Sequence, residues 1–436
     1  MNTDNSSSSY IRRLQSRHIA TYNNNRIIGN NNGIPTQKYL TSNKDASLMN
    51  YIGVGNLDRS NAIFQFSPPS PPSAPSAPSP PVQTGTAFIP TTWIDANGAN
   101  FSITGRSVAY GMSGWIAVGQ DSSGTIKMST DNAVTWTNID NQMPGVTNGE
   151  GVYGVATDGS ANWVAVGNKN TEADAITILY SVDNGATWYT NTDYDSGFNL
   201  TNGRTDRGYD VTYKNGLWIA VGHYNVGIGY ERVIKIATTM NGIYGPNWVN
   251  SPLGNANIPV FGSSNPALCV AYGSGTWCIG GQDYNNPAKG SIVYSTDNGA
   301  TWLKPTGTFR GMCQGIATDG NGNWVAVGYK SSSDTKPIKY SSDNGRTWVN
   351  TQSADASLFS SGESVTYALS SSGTGIWVAV GQGNSQTIIY STDNGLTWNP
   401  AGTNRFTGSG VNVYFANNRW VAVGSGGGNT IKYSTV

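Results

Sequence analysis

The sequence contains few charged residues. Asp, Glu, Lys and Arg make up 11% of its 436 residues, and the 25 acidic and 25 basic side chains give no net charge. Helical bundles and coiled coils need many charged surface positions, so this composition argues against both.

Cysteine, histidine and long apolar segments are also scarce. Three cysteines cannot form a closed set of disulfides. Cys269 and Cys278 have a spacing that allows them to face each other across a hairpin, but small buried apolar residues are the better interpretation of all three. The two histidines, His18 and His223, are far apart and no metal-ligand spacing occurs elsewhere, so neither a metal nor a cofactor is predicted.

No run of about 18 apolar residues is present, so no membrane span is predicted. The N-terminus is rich in Ser and Asn and has no apolar segment, so it does not resemble a secretory signal.

Glycine and aromatic residues are abundant, with 55 Gly, 23 Tyr and 14 Trp. One nine-residue stretch, from Tyr294 to Trp302, recurs almost unchanged at 180–188, 340–348 and 390–398, and more loosely at 128–136. Each copy begins as an alternating strand, breaks at Asp-Asn-Gly or a near relative, and resumes at Thr-Trp. Asn-Gly accepts the positive φ of a tight hairpin turn, and the Asp side chain can accept hydrogen bonds from the turn amides. The aspartates are Asp131, Asp183, Asp297, Asp343 and Asp393.

This Ser-x-Asp-x-Gly-x-Thr-Trp pattern resembles the Asp-box, or BNR repeat, of β-propellers such as sialidases, xyloglucanases, sortilin-type receptors and a photosystem assembly factor. Four copies match fully, and Ala133 replaces the glycine in the fifth. The resemblance implies a propeller in which the boxes are folding elements on the face away from the active site of the family's enzymes.

A second element, Trp-Val-Ala-Val-Gly or a close variant, occurs seven times at intervals of 43 to 59 residues, which is the length of a four-stranded propeller blade. We name the strands of a blade A to D: strand B starts at this Trp, strand C precedes the Asp-box turn, and strand D starts at the next Trp. The fourteen tryptophans all fall into this scheme, and packing between blades is the expected role for all of them.

The two ends of the repeat region complement each other. The chain stops at a strand C without a strand D, whereas Trp93 begins a strand D with nothing before it. Pairing the two completes a seventh blade and removes the free sheet edge. The predicted fold is therefore all-β: a seven-bladed propeller of four-stranded antiparallel blades, closed by an N-terminal strand.

Three regions are predicted: an arm at 1–66, a Pro-rich linker at 67–85 and the propeller at 86–436. The arm carries seven basic and three acidic residues, too few for a nucleic-acid interface. Residues 67–81 hold eight prolines, which favour an extended spacer. The arm is either a solvated tail or an anchor to a larger assembly. Its Ser-Ser-x-Tyr-x-x-Arg pattern is similar to leaders of uncharacterised proteins from large DNA viruses, which implies a virion or surface location.

In a propeller the B-to-C and D-to-A loops open on one face, and the variability of these loops makes that face the expected binding surface. Its candidate residues are Arg106, Asp121, Glu150, Arg207, His223, Tyr224, Asp283, Tyr284, Arg310, Tyr329, Glu363 and Arg405.

Two function classes remain open for this face. Arg106, Arg207 and Arg310 could converge on a carboxylate as in sialidases, with Glu150 and Glu363 nearby. The chain lacks the arginine-containing segment of that family at Phe88–Pro90, and Asp121 and Asp283 are only possible members of a glycosidase pair. A non-enzymatic propeller that binds a protein partner or a glycan is the leading hypothesis, and a glycan-active hydrolase is the alternative.

Overall fold

The structure is a computed structural model that describes residues 86–122, 124–139, 151–168, 178–190, 207–225, 230–238, 247–251, 266–282, 290–330, 335–352, 358–383 and 385–435, with the backbone alone at 28–29, 35–37, 224–225 and 230–233. The chain divides into two compact units, 1–74 and 75–436. In the first unit Ile28–Gly29 pairs with Pro35–Gln37 in a two-stranded antiparallel sheet.

The second unit is a ring of seven antiparallel blades, which confirms the predicted seven-bladed β-propeller. The innermost strands, A of blades 1 to 7, are Thr104–Gly111, Gly151–Thr157, Arg207–Lys214, Ala267–Gly273, Cys313–Thr318, Ser361–Leu369 and Gly410–Ala416. The B strands are Gly114–Gln120, Trp163–Asn168, Leu217–Asn225, Thr276–Gly281, Trp324–Gly328, Gly375–Gln382 and Arg419–Gly424.

The outer two strands of each blade are shorter. The C strands are Ile126–Ser129, Ile178–Ser181, Tyr230–Ala237, Ile292–Ser295, Ile338–Ser341, Ile388–Ser391 and Ile431–Ser434. The D strands of blades 1, 2, 3, 5, 6 and 7 are Thr135–Asn138, Tyr189–Thr190, Val249–Asn250, Val349–Asn350, Asn399–Pro400 and Trp93–Asp95. In blade 4 the fourth strand is reduced to a bridge between Tyr294 and Leu303.

The hydrophobic core lies between the blades. Seven clusters of buried apolar residues occupy the seven interfaces of neighbouring blades. Every tryptophan is at most 5% exposed, so the predicted packing role is confirmed. Five of the strand B tryptophans pack at a tilt against a Tyr or Phe of strand A, with ring centroids 4.7–5.1 Å apart. Such pairs stabilise the A–B hairpin beyond simple burial.

Each Asp-box is held by the same hydrogen bonds. In blade 2 the Asp183 carboxylate accepts from Ser181 Oγ at 2.8 Å, from Thr187 N at 2.8 Å and from Thr187 Oγ1 at 2.5 Å. Burial opposes ionisation of Asp183, but these donors lower its pKa below the ordinary value. The turn glycine, Gly185, has φ 82°, and the main-chain oxygen of Gly185 accepts from Trp188 Nε1 at 2.9 Å.

The Asp-boxes also join neighbouring blades. Ser113, in the A–B turn of blade 1, donates to Asn184 O of blade 2 at 2.8 Å. Asn344 of blade 5 donates to Thr276 Oγ1 of blade 4 at 2.7 Å. The boxes and the A–B turns therefore share one face of the ring, which we call the turn face.

The seam closes as predicted. Trp93 and Ile94 pair with Ser434 and Tyr433, so the N-terminal strand D completes blade 7. Blade 7 lacks an Asp-box, and residues 86–92 take its place: Phe88 O accepts from Trp420 Nε1 at 2.8 Å, as the box residue Asn132 does from Trp115 in blade 1 at 2.9 Å. The propeller therefore begins on the turn face.

The segments that leave strand D protect the outer edge of the next blade. Thr306, after blade 4, donates to Arg346 O at 3.0 Å and accepts from Trp348 N at 2.9 Å. Asn97–Gly98 runs parallel to Thr135–Trp136 in the same way across the seam. These crossovers pair part of an edge that would otherwise be open.

The three cysteines are free and buried. Cys269 lies opposite Gly280 and Cys278 lies opposite Ala271, so the two are not direct cross-strand partners. All three belong to the apolar cluster between blades 4 and 5, which confirms their role as small buried residues.

Candidate functional site: the channel mouth

Each of the seven A strands contains one β-bulge at the same position. The register with strand B skips one residue of strand A in every blade, for example between Gly105 and Ser107 in blade 1 and between Gly208 and Asp210 in blade 3. A bulged residue is left out of the pairing and its side chain is redirected. The skipped residues are Arg106, Tyr153, Tyr209, Leu268, Gln314, Glu363 and Val411.

These seven residues, which we call the bulge ring, all line one axial cavity of about 780 Å³. Arg106, Gln314, Glu363 and Val411 also line a second cavity of about 530 Å³, together with Tyr329 and Ser425 at the ends of B strands. The bulge ring therefore surrounds the mouth of the central channel on the face opposite the turn face.

Deeper in the channel the side chains are small. The third residues after the bulges form the next layer of the channel wall, and they are Ala109, Ala156, Thr212, Ala271, Ala317, Thr366 and Tyr414. Only Tyr414 is large in this layer, and its ring packs edge-on against Trp115 at 6.3 Å. Small side chains leave the channel open below its mouth.

Two arginines flank one tyrosine of the bulge ring. The Arg106 guanidinium lies 5.1 Å from the Tyr153 ring centroid and the Arg207 guanidinium lies 4.7 Å from it. Arg207 also lies 5.6 Å from the Tyr209 ring, which packs edge-on to Tyr153. Each cation over an aromatic face contributes about 0.5–2 kcal/mol, depending on desolvation.

The Arg106 side chain is held in place by strand B of its own blade. Its Nε and Nη2 donate to Gln120 Oε1 at 3.2 and 2.6 Å, and Gln120 Nε2 donates to Tyr153 Oη at 3.4 Å. Burial lowers the pKa of Arg106 and the charge of Arg207 adds to this shift, whereas Tyr153 and Glu363 oppose it. Arg207 Nε is buried without an acceptor in the part of the chain that the structure describes.

Glu363 is the acidic member of the bulge ring. It accepts from Gln314 Nε2 at 2.5 Å and from Tyr329 Oη at 3.4 Å. Burial raises the pKa of Glu363, while the charge of Arg106 and the Tyr329 hydroxyl oppose that rise.

In blades 1, 3 and 7 the residue after the bulge links adjacent blades. Asp210 Oδ2 accepts from Val270 N of blade 4 at 2.9 Å, Ser107 Oγ from Val155 N of blade 2 at 3.3 Å, and Asn412 Oδ1 from Val108 N of blade 1 at 3.3 Å. Burial raises the pKa of Asp210 to about 7, although hydrogen bonds from Val270 N and Val211 N oppose the shift.

The predicted site residues are only partly brought together. Arg106, Arg207 and Glu363 line the channel, Tyr329 lines its mouth, and His223 is buried against the Tyr209 ring at 5.4 Å. Arg310 and Arg405 are exposed and do not line either cavity, so two of the three predicted arginines share the mouth.

Asp121 lies inside blade 1, where its buried carboxylate forms an ion pair with Lys127 Nζ at 2.6 Å. Tyr224 lies in strand B of blade 3, and its side chain is outside the description. Glu150, Asp283 and Tyr284 lie outside the described residues. The binding roles of these residues stay predictions.

Sequence reasoning missed five members of the bulge ring: Tyr153, Tyr209, Leu268, Gln314 and Val411. In these five blades the bulged residue lies four positions before the strand A residue that pairs with the tryptophan of strand B. This regularity depends on the strand pairing, which the sequence does not mark.

Two further observations bear on the possible chemistry. Within the described ranges no three His, Cys, Asp or Glu residues are grouped as metal ligands would be. No helix among the same residues is long and apolar enough to cross a bilayer.

Comparison with known proteins supports the repeat assignment. Residues 389–400 match the family model of the BNR/Asp-box repeat. The chain therefore carries an Asp-box repeat. No curated protein sequence matches it.

Solved structures share the fold. The structure of YCF48 bound to D1 peptide superposes with a TM-score of 0.50 at 14% identity, over 84% of this chain and 99% of that chain. The RRP9 WD40 repeats superpose with a TM-score of 0.53 at 11% identity, over 80% of this chain and 98% of that chain. At these identities the likeness extends to the propeller architecture alone.

Proposed function

We propose that this chain is a non-enzymatic binding propeller that recognises a segment of a protein partner at the bulge ring. The observation that carries the proposal is the convergence of seven bulged side chains on one open axial cavity. Propeller binding sites are favoured where variable side chains meet at a cavity on a rigid scaffold. YCF48, which has a similar fold, is known in a complex with a peptide.

The bulge ring offers mixed chemistry that suits a peptide. Leu268 and Val411 provide apolar contacts, Tyr153 and Tyr209 provide aromatic faces, and Gln314 provides an amide that can pair with a main chain. Aromatic and arginine side chains dominate the energetics of most protein interfaces.

The proposal is tested by screening the full-length protein against a displayed random-peptide library. Enriched peptides should bind the wild type, and Val411→Arg should weaken them at least tenfold by filling the mouth. Met112→Arg is the matched control, because Met112 is 72% exposed in an A–B turn on the turn face. The proposal would be contradicted if the enriched peptides bound Val411→Arg but not Met112→Arg, or if no peptide were enriched.

We also propose that residues 1–66 anchor the propeller to a larger assembly, such as a virion surface. The proposal is supported by the apolar residues Leu48, Tyr51, Ile52, Ile63, Phe64 and Phe66, which a simple spacer would not need. Deleting residues 1–66 should abolish co-sedimentation with particles of the assembly while the thermal melt of the propeller is kept. Unchanged co-sedimentation excludes the anchoring role.

A glycan-active hydrolase is a second candidate, because the Tyr329 hydroxyl contacts the Glu363 carboxylate beside Arg106. A tyrosine paired with a glutamate is the nucleophile arrangement expected of a sialidase. Release of methylumbelliferone from a generic sialoside, lost in Glu363→Gln, would favour this candidate, and no release would exclude sialidase activity. A glycan-array screen of the same preparation tests glycan recognition without cleavage.

A further inference from the structure

The bulge ring is electrostatically uneven. Arg106 and Arg207 both lie over the Tyr153 ring, whereas Glu363 accepts hydrogen bonds from Gln314 and Tyr329 of blade 5. Among the described residues, Arg106 and Arg207 contact aromatic rings and Gln120, and Glu363 acts on Arg106 through its charge rather than through a hydrogen bond.

This arrangement places two cations in a partly buried site, where the charge of Glu363 compensates part of the charge of Arg106. Like charges that share one tyrosine disfavour each other, and burial adds to that cost. A carboxylate that contacted both guanidinium groups would offset both effects, since a guanidinium binds a carboxylate through two parallel hydrogen bonds. The buried Arg207 Nε, which lacks an acceptor among the described residues, is one donor available for such a contact.

We propose that the ligand group at the channel mouth is a carboxylate of the partner peptide, bound by Arg106 and Arg207, whose guanidinium groups lie over the Tyr153 ring. This inference rests on the proposed function and names the chemistry of its ligand. The carboxylate belongs to an acidic side chain or to a chain terminus, and both sources present the same group.

The geometry favours a peptide over a free small anion. The mouth cavity continues into the axial channel, whose walls are small side chains, and Leu268 and Val411 flank the mouth with apolar surface. A peptide fills this volume with neighbouring side chains, whereas an isolated anion would leave the apolar part of the mouth in contact with water.

Titration calorimetry on the full-length protein with four probes distinguishes a side-chain carboxylate from a terminal carboxylate. The first is the blocked peptide acetyl-Gly-Ser-Glu-Glu-Ser-Gly-amide, the second is its Gln-Gln analogue, the third is that analogue with a free C-terminal carboxylate, and the fourth is N-acetylneuraminic acid. We expect the first or the third peptide to bind at least about tenfold more tightly than the second, because only they carry a carboxylate. Tighter binding of the first assigns a side-chain source, and tighter binding of the third assigns a terminal source.

The variants Arg106→Gln and Arg207→Gln should each weaken the preferred peptide about tenfold or more. Arg346→Gln is the control, because Arg346 is an exposed arginine in the Asp-box turn of blade 5, on the turn face, and does not line the channel. Unchanged thermal melts for all three variants show that the fold is intact. Equal binding of acidic and neutral peptides, full binding by both channel variants, or binding of the sugar acid alone overturns the inference.

The two proposals can fail separately. If displayed peptides depend on Val411 but carry no acidic consensus and ignore Arg106→Gln, the ring still binds peptides and the carboxylate inference is wrong. If acidic peptides bind and the binding is lost in Met112→Arg rather than in the ring variants, both proposals are wrong.

Discussion

Single residues at the channel hold neighbouring blades together. Asp210 differs from its counterparts Ser107 and Asn412 because it brings an ionisable group to a position that links two blades. The neutral side chains make the same type of hydrogen bond to the next blade. The charge of Asp210 is therefore dispensable for the link itself.

Asp210 should make stability depend on pH. Its pKa is raised to about 7 in the fold, whereas an unfolded Asp titrates near about 3.9. The folded state therefore holds the proton more tightly, so its stabilising effect is complete below about pH 4 and is lost as pH rises through about 7. The loss is at most about 4 kcal/mol, and smaller in practice because the carboxylate faces the water-accessible channel.

The comparison of wild type with Asp210→Asn in urea unfolding at pH 5 and pH 8 measures this effect. We expect the wild type to lose more stability than the variant between the two values. Asn412 shows that an asparagine is compatible with this position. Equal losses in both proteins would show that Asp210 does not titrate in this range.

Residue-level reasoning from sequence located part of this site. Arg106, Arg207 and Glu363 were identified because charged residues just ahead of strand A are expected near the axis. Tyr153, Gln314 and Val411 were missed because a bulge inserts one residue without any sequence marker, and a shift of one residue changes the direction of a side chain.

At the scale of the element, the Asp-box is a turn that also packs against its neighbour. A Cβ added to Gly185 would lie 2.2 Å from Ile116 Cδ1 of blade 1, and the residue has φ 82°. Gly185→Ala should therefore destabilise the protein by about 2 kcal/mol, through backbone strain and overpacking.

The first box supplies the matched control for that variant. Ala133 already occupies the equivalent position with φ 69°. Ala133→Gly relieves the backbone strain but loosens the unfolded chain, so we expect a change within about 1 kcal/mol. Thermal unfolding of the two variants measures the difference, and equal destabilisation would show that the contact with Ile116 is unimportant.

The C strands carry lysines whose burial the repeat pattern did not predict. Lys127 pairs with the buried Asp121 and lies 4.6 Å from the Phe101 ring, whereas blades 2 and 6 have Leu179 and Ile389 at the same position. Lys127→Leu should cost about 3 kcal/mol because Asp121 is left buried without its cation.

The double variant Lys127→Leu with Asp121→Asn should recover most of that loss, since apolar residues already fill this position in other blades. Chemical denaturation gives both values. A double variant no more stable than Lys127→Leu would mean that the lysine stem, and not the charge pair, supplies the stability.

At the scale of the whole molecule, ring closure depends on the N-terminal strand. Deleting residues 1–95 removes the partner of the strand Ile431–Ser434 and the acceptor of Trp420 Nε1. An open seam exposes an unpaired strand edge, so this truncation should aggregate or fail to melt cooperatively. Size-exclusion chromatography and circular dichroism test it.

Deletion of residues 1–74 is the control for the seam, because it leaves residues 86–95 in place. We expect its melting temperature to match that of the full chain. If the longer deletion melts like the shorter one, the seam strand does not hold the ring closed.

The architecture was predictable because the same signals recur in each blade. Seven strand B tryptophans set the blade count, and the unmatched strands at Trp93 and Ile431 indicated where the ring closes. The replacement of an Asp-box by residues 86–92 was not predictable, because Phe88 serves there through its main-chain oxygen and carries no motif.

The central claim is that the bulge ring is a receptor for a carboxylate. It is tested most directly by a crystal structure of the full-length protein grown with acetyl-Gly-Ser-Glu-Glu-Ser-Gly-amide. The account predicts a carboxylate within hydrogen-bonding distance of both Arg106 and Arg207 at the channel mouth. Peptide bound on the turn face, with only water between the two arginines, would contradict it.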